Sequence, residues 1–128
     1  MAQRRMITKA TFENGDFLRL SRDAQILYIA SIVHADDEGV VDVYPVMQLL
    51  NISSLGAFKE VVDANFMVRL TVDDRIISYV TDWEDMNHVP ESRFVKSKHH
   101  ELKVRILSEK EHMMISSPAN TSEVDDEQ

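Results

Sequence analysis

The most strongly patterned part of the chain follows Ser21, where apolar residues recur at helical spacing and cover most of the circumference of a helix. Ser21 can accept hydrogen bonds from the free amides of a first turn, and Asp23 complements the helix dipole there. The pattern predicts a helix over residues 21–35. Because a helix that is apolar on most sides belongs in the interior, we expect it to be the longest and most central one. The residues of this stripe are Ala24, Ile26, Leu27, Tyr28, Ile29, Ser31, Ile32 and Val33.

A short strand and a second helix are predicted after Gly39, where the first helix ends at the latest. The β-branched run of Val40, Val41 and Val43 is typical of a strand. The next helix begins near Tyr44-Pro45, because proline at an early helical position lacks only an N–H that would be unbonded anyway. Asn51 ends this helix.

A third helix is predicted over residues 54–64. Ser53 or Ser54 caps its start, and Asn65 can adopt the left-handed conformation that closes a helix. Its buried stripe is formed by Leu55, Phe58, Val61 and Val62, so Lys59 faces outward.

A β-hairpin follows the third helix. In residues 66–72 the even positions are apolar and the odd ones include Arg69 and Thr71, an alternation that predicts a half-buried strand. Residues 75–80 form its partner, and Asp73-Asp74 is the turn. The order helix, short strand, helix, helix, β-ribbon is that of a winged helix-turn-helix. The predicted fold class is therefore α+β, mostly α, with three helices, a two- to three-stranded β-wing and a C-terminal extension.

Four segments are predicted along the chain. Residues 1–16 are an N-terminal arm, and residues 17–90 are the winged-helix domain, in which Trp83 packs the end of the wing against the first helix. Residues 91–115 form a basic extension that is partly helical, with a helix over residues 101–114. Residues 116–128 have the composition of a disordered acidic tail.

Composition excludes several classes of function. The 128 residues contain no cysteine, so disulfides and thiolate metal sites are excluded. No apolar run approaches the length of a membrane span, and nothing resembles a secretory signal, so we expect a cytoplasmic protein without membrane contact. No glycine-rich phosphate loop or nucleophile motif occurs, and we expect neither enzymatic activity nor a cofactor.

The formal net charge of −8 is unevenly distributed. Cationic residues cluster in residues 1–20 and 86–112, on either side of an acidic middle. An acidic body keeps non-specific affinity for DNA low, while basic flanks can still contact phosphates.

Three segments carry a resemblance to a known family. They are the start Met1-Ala2-Gln3-Arg4-Arg5-Met6, the signature His34-Ala35-Asp36-Asp37-Glu38-Gly39, and the run Thr81-Asp82-Trp83-Glu84 with Asn87, Val89, Ser92, Arg93 and Ser97. Over about residues 1–103 the chain resembles the N-terminal domain of phage replisome organisers, DnaD-like replication initiators of phages of Gram-positive bacteria. It departs from them at Pro90-Glu91, where basic residues are usual, and at His99, where tyrosine is common.

The resemblance implies a phage protein, in the cytoplasm of a bacterial host, that recognises double-stranded origin DNA and nucleates replisome assembly. Single-stranded DNA is a further candidate ligand. Family members continue into a second domain that engages a helicase loader or helicase, so here that contact is expected from a missing C-terminal domain or another chain. The alternative function is a protein-interaction or oligomerisation module without direct DNA binding, and a homodimer suits either function.

The candidate DNA-binding residues each have an alternative role. The third helix would enter the major groove, yet its face lacks the arginine, asparagine and glutamine that read bases and could equally contact protein. The basic arm could enter a minor groove or have no partner, and the wing arginines could contact phosphate or pair with Asp73, Asp74 or Asp82. The basic residues after the wing could contact phosphates or form a solvated surface. The candidates are Arg4, Arg5, Lys9, Ser53, Ser54, Lys59, Arg69, Arg75, Arg93, Lys96 and Lys98.

The acidic residues around Gly39 raise the question of a metal site. The alternating ligands and twelfth-position glutamate of a calcium loop are absent, so no metal is expected. We instead expect a polar helix end whose acids interact with the arginines of the arm.

Overall fold

A computed structural model describes residues 4–71 and 74–116, with side chains described as far as residue 111. The chain divides into two compact units, residues 1–98 and 99–128. The first unit is α+β, with a small three-stranded antiparallel sheet. No helix in the described part of the chain is long and apolar enough to cross a membrane.

The predicted N-terminal arm contains two short helices that the sequence pattern did not indicate, α1 (Lys9–Glu13) and α2 (Gly15–Leu18). Asn14 accepts hydrogen bonds from the amides of Asp16 and Phe17 and thereby caps α2. Helices of one turn are too short to produce a periodic pattern in the sequence.

Helix α3 (Arg22–His34) is the predicted central helix, and its boundaries are confirmed. The Ser21 hydroxyl accepts a hydrogen bond from the amide of Ala24, as expected of a cap. Leu27, Tyr28 and Ile32 are buried, whereas Ile26 and Val33 are 40% and 53% exposed. The helix therefore buries one side and keeps apolar residues on the other.

The predicted strand and helices follow as β1 (Val40–Asp42), α4 (Val43–Leu49) and α5 (Gly56–Asp63). Asn51 and Asn65 both have left-handed backbone conformations, with φ of 58° and 66°, which confirms them as the residues that end α4 and α5. The predicted serine cap of the third helix was wrong, because Leu55 occupies the cap position of α5 and makes no side-chain cap. The Ser54 hydroxyl oxygen still accepts a hydrogen bond from the amide of Gly56 at 3.0 Å, in the turn just before the helix.

The hairpin strands are β2 (Met67–Arg69) and β3 (Ile77–Val80), and the sheet order is β1-β3-β2. Val41 and Arg69 both lie opposite Ser78, one on each side of β3. All four residues of β3 are buried, because this strand is the central one. The first hairpin strand is half-buried as predicted, since Met67 is buried while Val68 and Arg69 are partly exposed. The predicted turn falls partly outside the described residues, because Asp73 is not among them.

The core lies between α3, α4, α5 and the sheet. Phe17, Tyr28 and Phe66 form an aromatic cluster with ring centroids 5.1–6.2 Å apart. After the sheet come helix α6 (Trp83–Met86), which the sequence pattern did not indicate, and a 3₁₀ turn (Glu91–Arg93).

The second unit contains helix α7 (His100–Ser116), which confirms the predicted helix and extends it at both ends. With 17 residues against 13 in α3, it shows that the expectation of α3 as the longest helix was wrong. Except for Ser116, the predicted disordered tail lies outside the described residues.

Candidate nucleic-acid interface

Helix α5 and strand β2 form an open groove that contains two of the predicted DNA-binding residues. Lys59 and Arg69 line this groove together with Leu55, Gly56, Phe58 and Val62. Lys59 is exposed and Arg69 is half-buried. The groove thus has an apolar floor and a cation on each of its two elements, and we call it the α5–β2 groove.

The charge of Lys59 is balanced within its own helix. Its ammonium lies 2.8 Å from the carboxylate of Asp63, one turn further along α5, and both side chains are exposed. The hydrogen bond to Asp63, followed by its negative charge, raises the pKa of Lys59. A phosphate that binds Lys59 must therefore displace Asp63.

Glu60 fixes α5 to the start of α3. Its carboxylate accepts hydrogen bonds from the backbone amide of Ser21 at 2.9 Å and from the Ser21 hydroxyl at 2.8 Å. These two bonds lower the pKa of Glu60, with the amide the larger cause. The contact orients α5 but adds a second negative charge to its polar side.

Ser53 and Ser54 are exposed in the turn between α4 and α5. They line a recess beside the start of α3, together with Ser21, Asp23, Asn51, Ile52, Gly56, Ala57 and Glu60. Since the Ser54 oxygen accepts the Gly56 amide, its hydroxyl hydrogen is the part that can reach a phosphate. Two acids share this recess, so the serines lie in a negative environment.

Arg75 lies at the start of the returning strand and is exposed. The Thr71 hydroxyl donates to the Arg75 carbonyl, which holds the two sides of the hairpin together near its tip. Arg69, on β2, and Arg75, at the start of the returning strand, therefore both lie in the half of the hairpin that is nearer its tip.

The acidic segment that connects α3 to β1, residues 36–39, is called here the acidic loop. The Asp36 carboxylate accepts hydrogen bonds from the amides of Glu38 and Val40 and closes the loop on itself. Gly39 has a φ of 79°, and a Cβ at this position would lie 2.4 Å from Cγ of Trp83. Only glycine fits here, because the backbone is left-handed and an indole lies against it.

Arg5 is buried against the acidic loop, which contradicts its assignment to DNA. Its guanidinium donates to the Asp37 carboxylate at 3.0 Å and to the Ala35 carbonyl at 2.9 Å, and its side chain is only 4% exposed. It also lies over the ring of Trp83, 5.2 Å from the centroid. The alternative prediction, that the acids of this loop interact with an arginine of the arm, is confirmed.

The segment after the 3₁₀ turn also binds to the acidic loop. The second carboxylate oxygen of Asp37 accepts the amide of Val95 at 2.9 Å, and Glu38 accepts the amide of Ser97 at 2.8 Å. The buried carboxylates of Asp37 and Glu38 thus each bind one backbone amide, two residues apart along the chain. They hold residues 94–98 against the acidic loop.

Trp83 and Asn87 complete this assembly. The indole N–H of Trp83 donates to the Asp37 carbonyl at 3.0 Å. The Asn87 side chain accepts from the Met6 amide and donates to the Met6 carbonyl, as a neighbouring strand would. Residues from the three segments that suggested a family resemblance therefore contact one another. Their hydrogen bonds hold the N-terminal segment, the acidic loop and residues 94–98 together.

The remaining predicted cations are exposed and are not among the residues that line the α5–β2 groove. Lys96 lies between the two amides that the acidic loop holds, Arg93 precedes them and Lys98 follows them. Arg4 precedes the buried Arg5, and Lys9 begins α1.

The surface around α6 carries several negative charges. The pKa of Tyr79 is raised by burial and then by the negative charges of Glu84, Asp82 and Asp85. These acids make the side of the sheet near Tyr79 unfavourable for a polyanion.

Sequence reasoning did not single out Phe94, which is 44% exposed directly after Arg93 and two residues before Lys96. The sequence does show an aromatic residue within a basic segment, which is a pattern found in nucleic-acid-binding proteins. It does not show that buried carboxylates hold this segment in place, so the pattern alone did not distinguish Phe94 from any other exposed residue.

Comparison of the chain with protein-family models, with curated proteins and with solved structures finds no match.

Proposed function

We propose that residues 1–98 form a winged helix-turn-helix domain that binds duplex DNA through the α5–β2 groove. Helices α3, α4 and α5 correspond to the three helices of that fold, and β2 and β3 correspond to its wing. The sheet order β1-β3-β2 supports this assignment, as does the position of β1 between α3 and α4 along the chain. Helix α5 is then the recognition helix.

The observation that carries the proposal is the common position of Lys59 and Arg69 on one groove. Lys59 is on the exposed side of α5, and Arg69 is on the adjacent strand of the hairpin. A recognition helix in the major groove would set these two cations against phosphates while the start of α5 approaches the bases. Leu55 is 50% exposed beside them and offers an apolar contact for thymine methyl groups.

The biological setting is proposed from the resemblance alone. We infer a phage replication initiator that binds origin DNA and recruits a helicase loader or helicase through another domain or another chain. Origin recognition requires sequence preference, and the polar side of α5 offers few side chains that read base edges. Specificity would then depend on DNA shape and on contacts from the hairpin.

Binding of labelled duplex fragments by fluorescence anisotropy tests the interface. Lys59→Glu and Arg69→Glu should each weaken duplex binding about tenfold or more, because each replaces a phosphate contact by a repulsive charge. Asp63→Asn should strengthen binding, because it removes the acid that competes for Lys59. The matched control is Lys98→Glu, an identical change of charge at an exposed lysine outside the α5–β2 groove, which should alter duplex affinity less than twofold.

Two outcomes would contradict this interface. One is duplex binding that Lys59→Glu and Arg69→Glu leave unchanged. The other is an absence of duplex binding by the wild-type chain at low salt, where phosphate contacts are strongest.

A second candidate function is self-association through the outward side of α3. Ile26 and Val33 are separated by two turns, lie on one side of the helix and are 40% and 53% exposed. Apolar residues on an exposed helix face are typical of protein interfaces. Sedimentation at several concentrations tests this, and Val33→Glu should convert any dimer to monomer, whereas Lys59→Glu should not.

A further inference from the structure

Residues 93–98 are called here the cationic strip, and the acidic loop holds the middle of this segment. The amides of Val95 and Ser97 donate to Asp37 and Glu38. These two hydrogen bonds fix the backbone of the strip between the 3₁₀ turn that ends at Arg93 and the turn that begins at Lys98. Its anchors are themselves fixed, because Asp37 is also bound to Arg5 and Glu38 is buried.

The side chains of the strip are exposed, except for that of Ser97, which is buried. Arg93, Lys96 and Lys98 are exposed and make no ion pair within the described part of the chain, in contrast to Lys59 and Arg19, which are paired with acids. Phe94 is 44% exposed and makes no ring contact with another aromatic residue of the described chain.

An exposed aromatic ring among unpaired cations on a fixed backbone is suited to one class of ligand. Single-stranded nucleic acid offers phosphates to the cations and an open base face to the ring, and base–aromatic stacking contributes substantially to such complexes. Duplex DNA offers only phosphates, because its bases are already stacked. A fixed backbone lowers the conformational entropy lost on binding.

We propose that the cationic strip binds single-stranded nucleic acid, with one base stacked on Phe94 and with Arg93, Lys96 and Lys98 in contact with successive phosphates. This site is separate from the α5–β2 groove and does not depend on the function proposed for that groove. One domain would then bind duplex DNA at one surface and an unpaired strand at another.

Fluorescence anisotropy of the full chain with labelled oligo(dT) and oligo(rU), each about 20 nucleotides long so as to exceed one binding site, tests the proposal. Phe94→Ala should weaken oligo(dT) binding about 5- to 100-fold, whereas Phe94→Trp should retain it. Val95→Ala is the matched control. It shortens the neighbouring exposed apolar side chain, keeps the amide that Asp37 accepts, and should change the affinity less than twofold.

The salt dependence of binding tests the phosphate contacts separately. Replacement of Arg93, Lys96 and Lys98 by glutamine should reduce the slope of log affinity against log salt by about 2, which corresponds to three phosphate contacts on a single strand. Tighter binding of oligo(dT) than of oligo(rU) would assign the site to DNA, and equal binding would assign it to single strands of either sugar.

Three results would overturn the proposal. They are an absence of oligo(dT) binding by the wild-type chain at low salt, a Phe94→Ala variant that binds as the wild type does, and a Phe94→Ala variant that loses affinity for duplex as much as for oligo(dT). Thermal unfolding of each variant verifies that the fold is intact. The variants Lys59→Glu and Arg69→Glu, measured on duplex, report on the α5–β2 groove independently.

Discussion

At the scale of single residues, the central feature is the buried pair of Arg5 and Asp37. Asp37 has no exposed side-chain surface, yet its two oxygens accept hydrogen bonds from Arg5 and from the Val95 amide. A buried carboxylate is tolerated only when its hydrogen bonds are satisfied and its charge is compensated. Asp37 meets both conditions through residues that are distant in sequence.

Arg5→Gln should therefore destabilise the domain by about 3–5 kcal/mol, because it leaves the Asp37 charge buried without its partner. The measurement is urea-induced unfolding followed by circular dichroism. Arg4→Gln is the matched control, since Arg4 is adjacent and exposed, and it should change the free energy of unfolding by less than about 0.5 kcal/mol. Equal effects of the two substitutions would show that the ion pair does not contribute to stability.

At the scale of elements, the position of α5 depends on its attachment to α3. Burial of Phe58 and Val61 holds one side of α5 against the core. The hydrogen bonds of Glu60 to Ser21 fix the polar side. Since α5 carries Lys59, this contact orients one half of the α5–β2 groove.

The Glu60 contact should make stability depend on pH. The pKa of Glu60 is lower in the folded chain than its ordinary value of 4.5, so its contribution is fully present above that value and is lost as pH falls through the lower, folded pKa. Glu60→Gln should reduce the urea midpoint at neutral pH, and the difference from wild type should shrink as the pH falls below about 4.

The control for this prediction is Glu13→Gln, at an exposed glutamate that has no hydrogen-bond partner in the described part of the chain. It should leave the urea midpoint unchanged at both pH values. A difference between Glu60→Gln and wild type that is the same at neutral and acidic pH would refute the role assigned to the carboxylate.

At the scale of the whole first unit, two cationic surfaces lie on different elements. The α5–β2 groove is formed by α5 and β2, and the cationic strip is anchored by the acidic loop that precedes β1. Although the net charge of the chain is −8, each surface brings cationic side chains together. Local clusters of this kind determine where a polyanion binds, whereas net charge governs non-specific affinity.

The two surfaces should act independently, because they share no residues and substitutions at sites without shared contacts are usually additive. In the double variant Lys59→Glu/Phe94→Ala, duplex affinity should match that of Lys59→Glu and oligo(dT) affinity should match that of Phe94→Ala, each within about 0.5 kcal/mol. Anisotropy with labelled duplex and with labelled oligo(dT) gives the affinities of the double variant and of the two single variants. A coupling energy above about 1 kcal/mol would mean that the two ligands share one surface.

Much of the fold could be predicted from the sequence, because it depends on local interactions. The boundaries of α3 follow from the Ser21 cap and the helical spacing, and the ends of α4 and α5 follow from asparagines that tolerate a left-handed backbone. The hairpin strands also follow from their pattern. Helices α1, α2 and α6 were missed because one-turn helices depend on tertiary contacts and leave no period.

The candidate sites were less predictable. Lys59 and Arg69 could be chosen from the sequence because helical and hairpin geometry places them outward. Arg5 was chosen for its charge and proved to be buried, since its position depends on a carboxylate 32 residues away. Phe94 was overlooked for the same reason, because the acids that fix its segment lie more than fifty residues earlier.

The sequence by itself determined the order from α3 to β3, most of the residues that delimit these elements and the apolar residues of the core, because each depends on neighbours within one or two turns of the chain. Only the tertiary structure decided which charges are buried and which remain exposed. Gly39 illustrates the difference. The sequence indicates that the helix ends by this residue, but the indole that excludes any side chain there comes from Trp83, and the folding of the whole unit brings the two together.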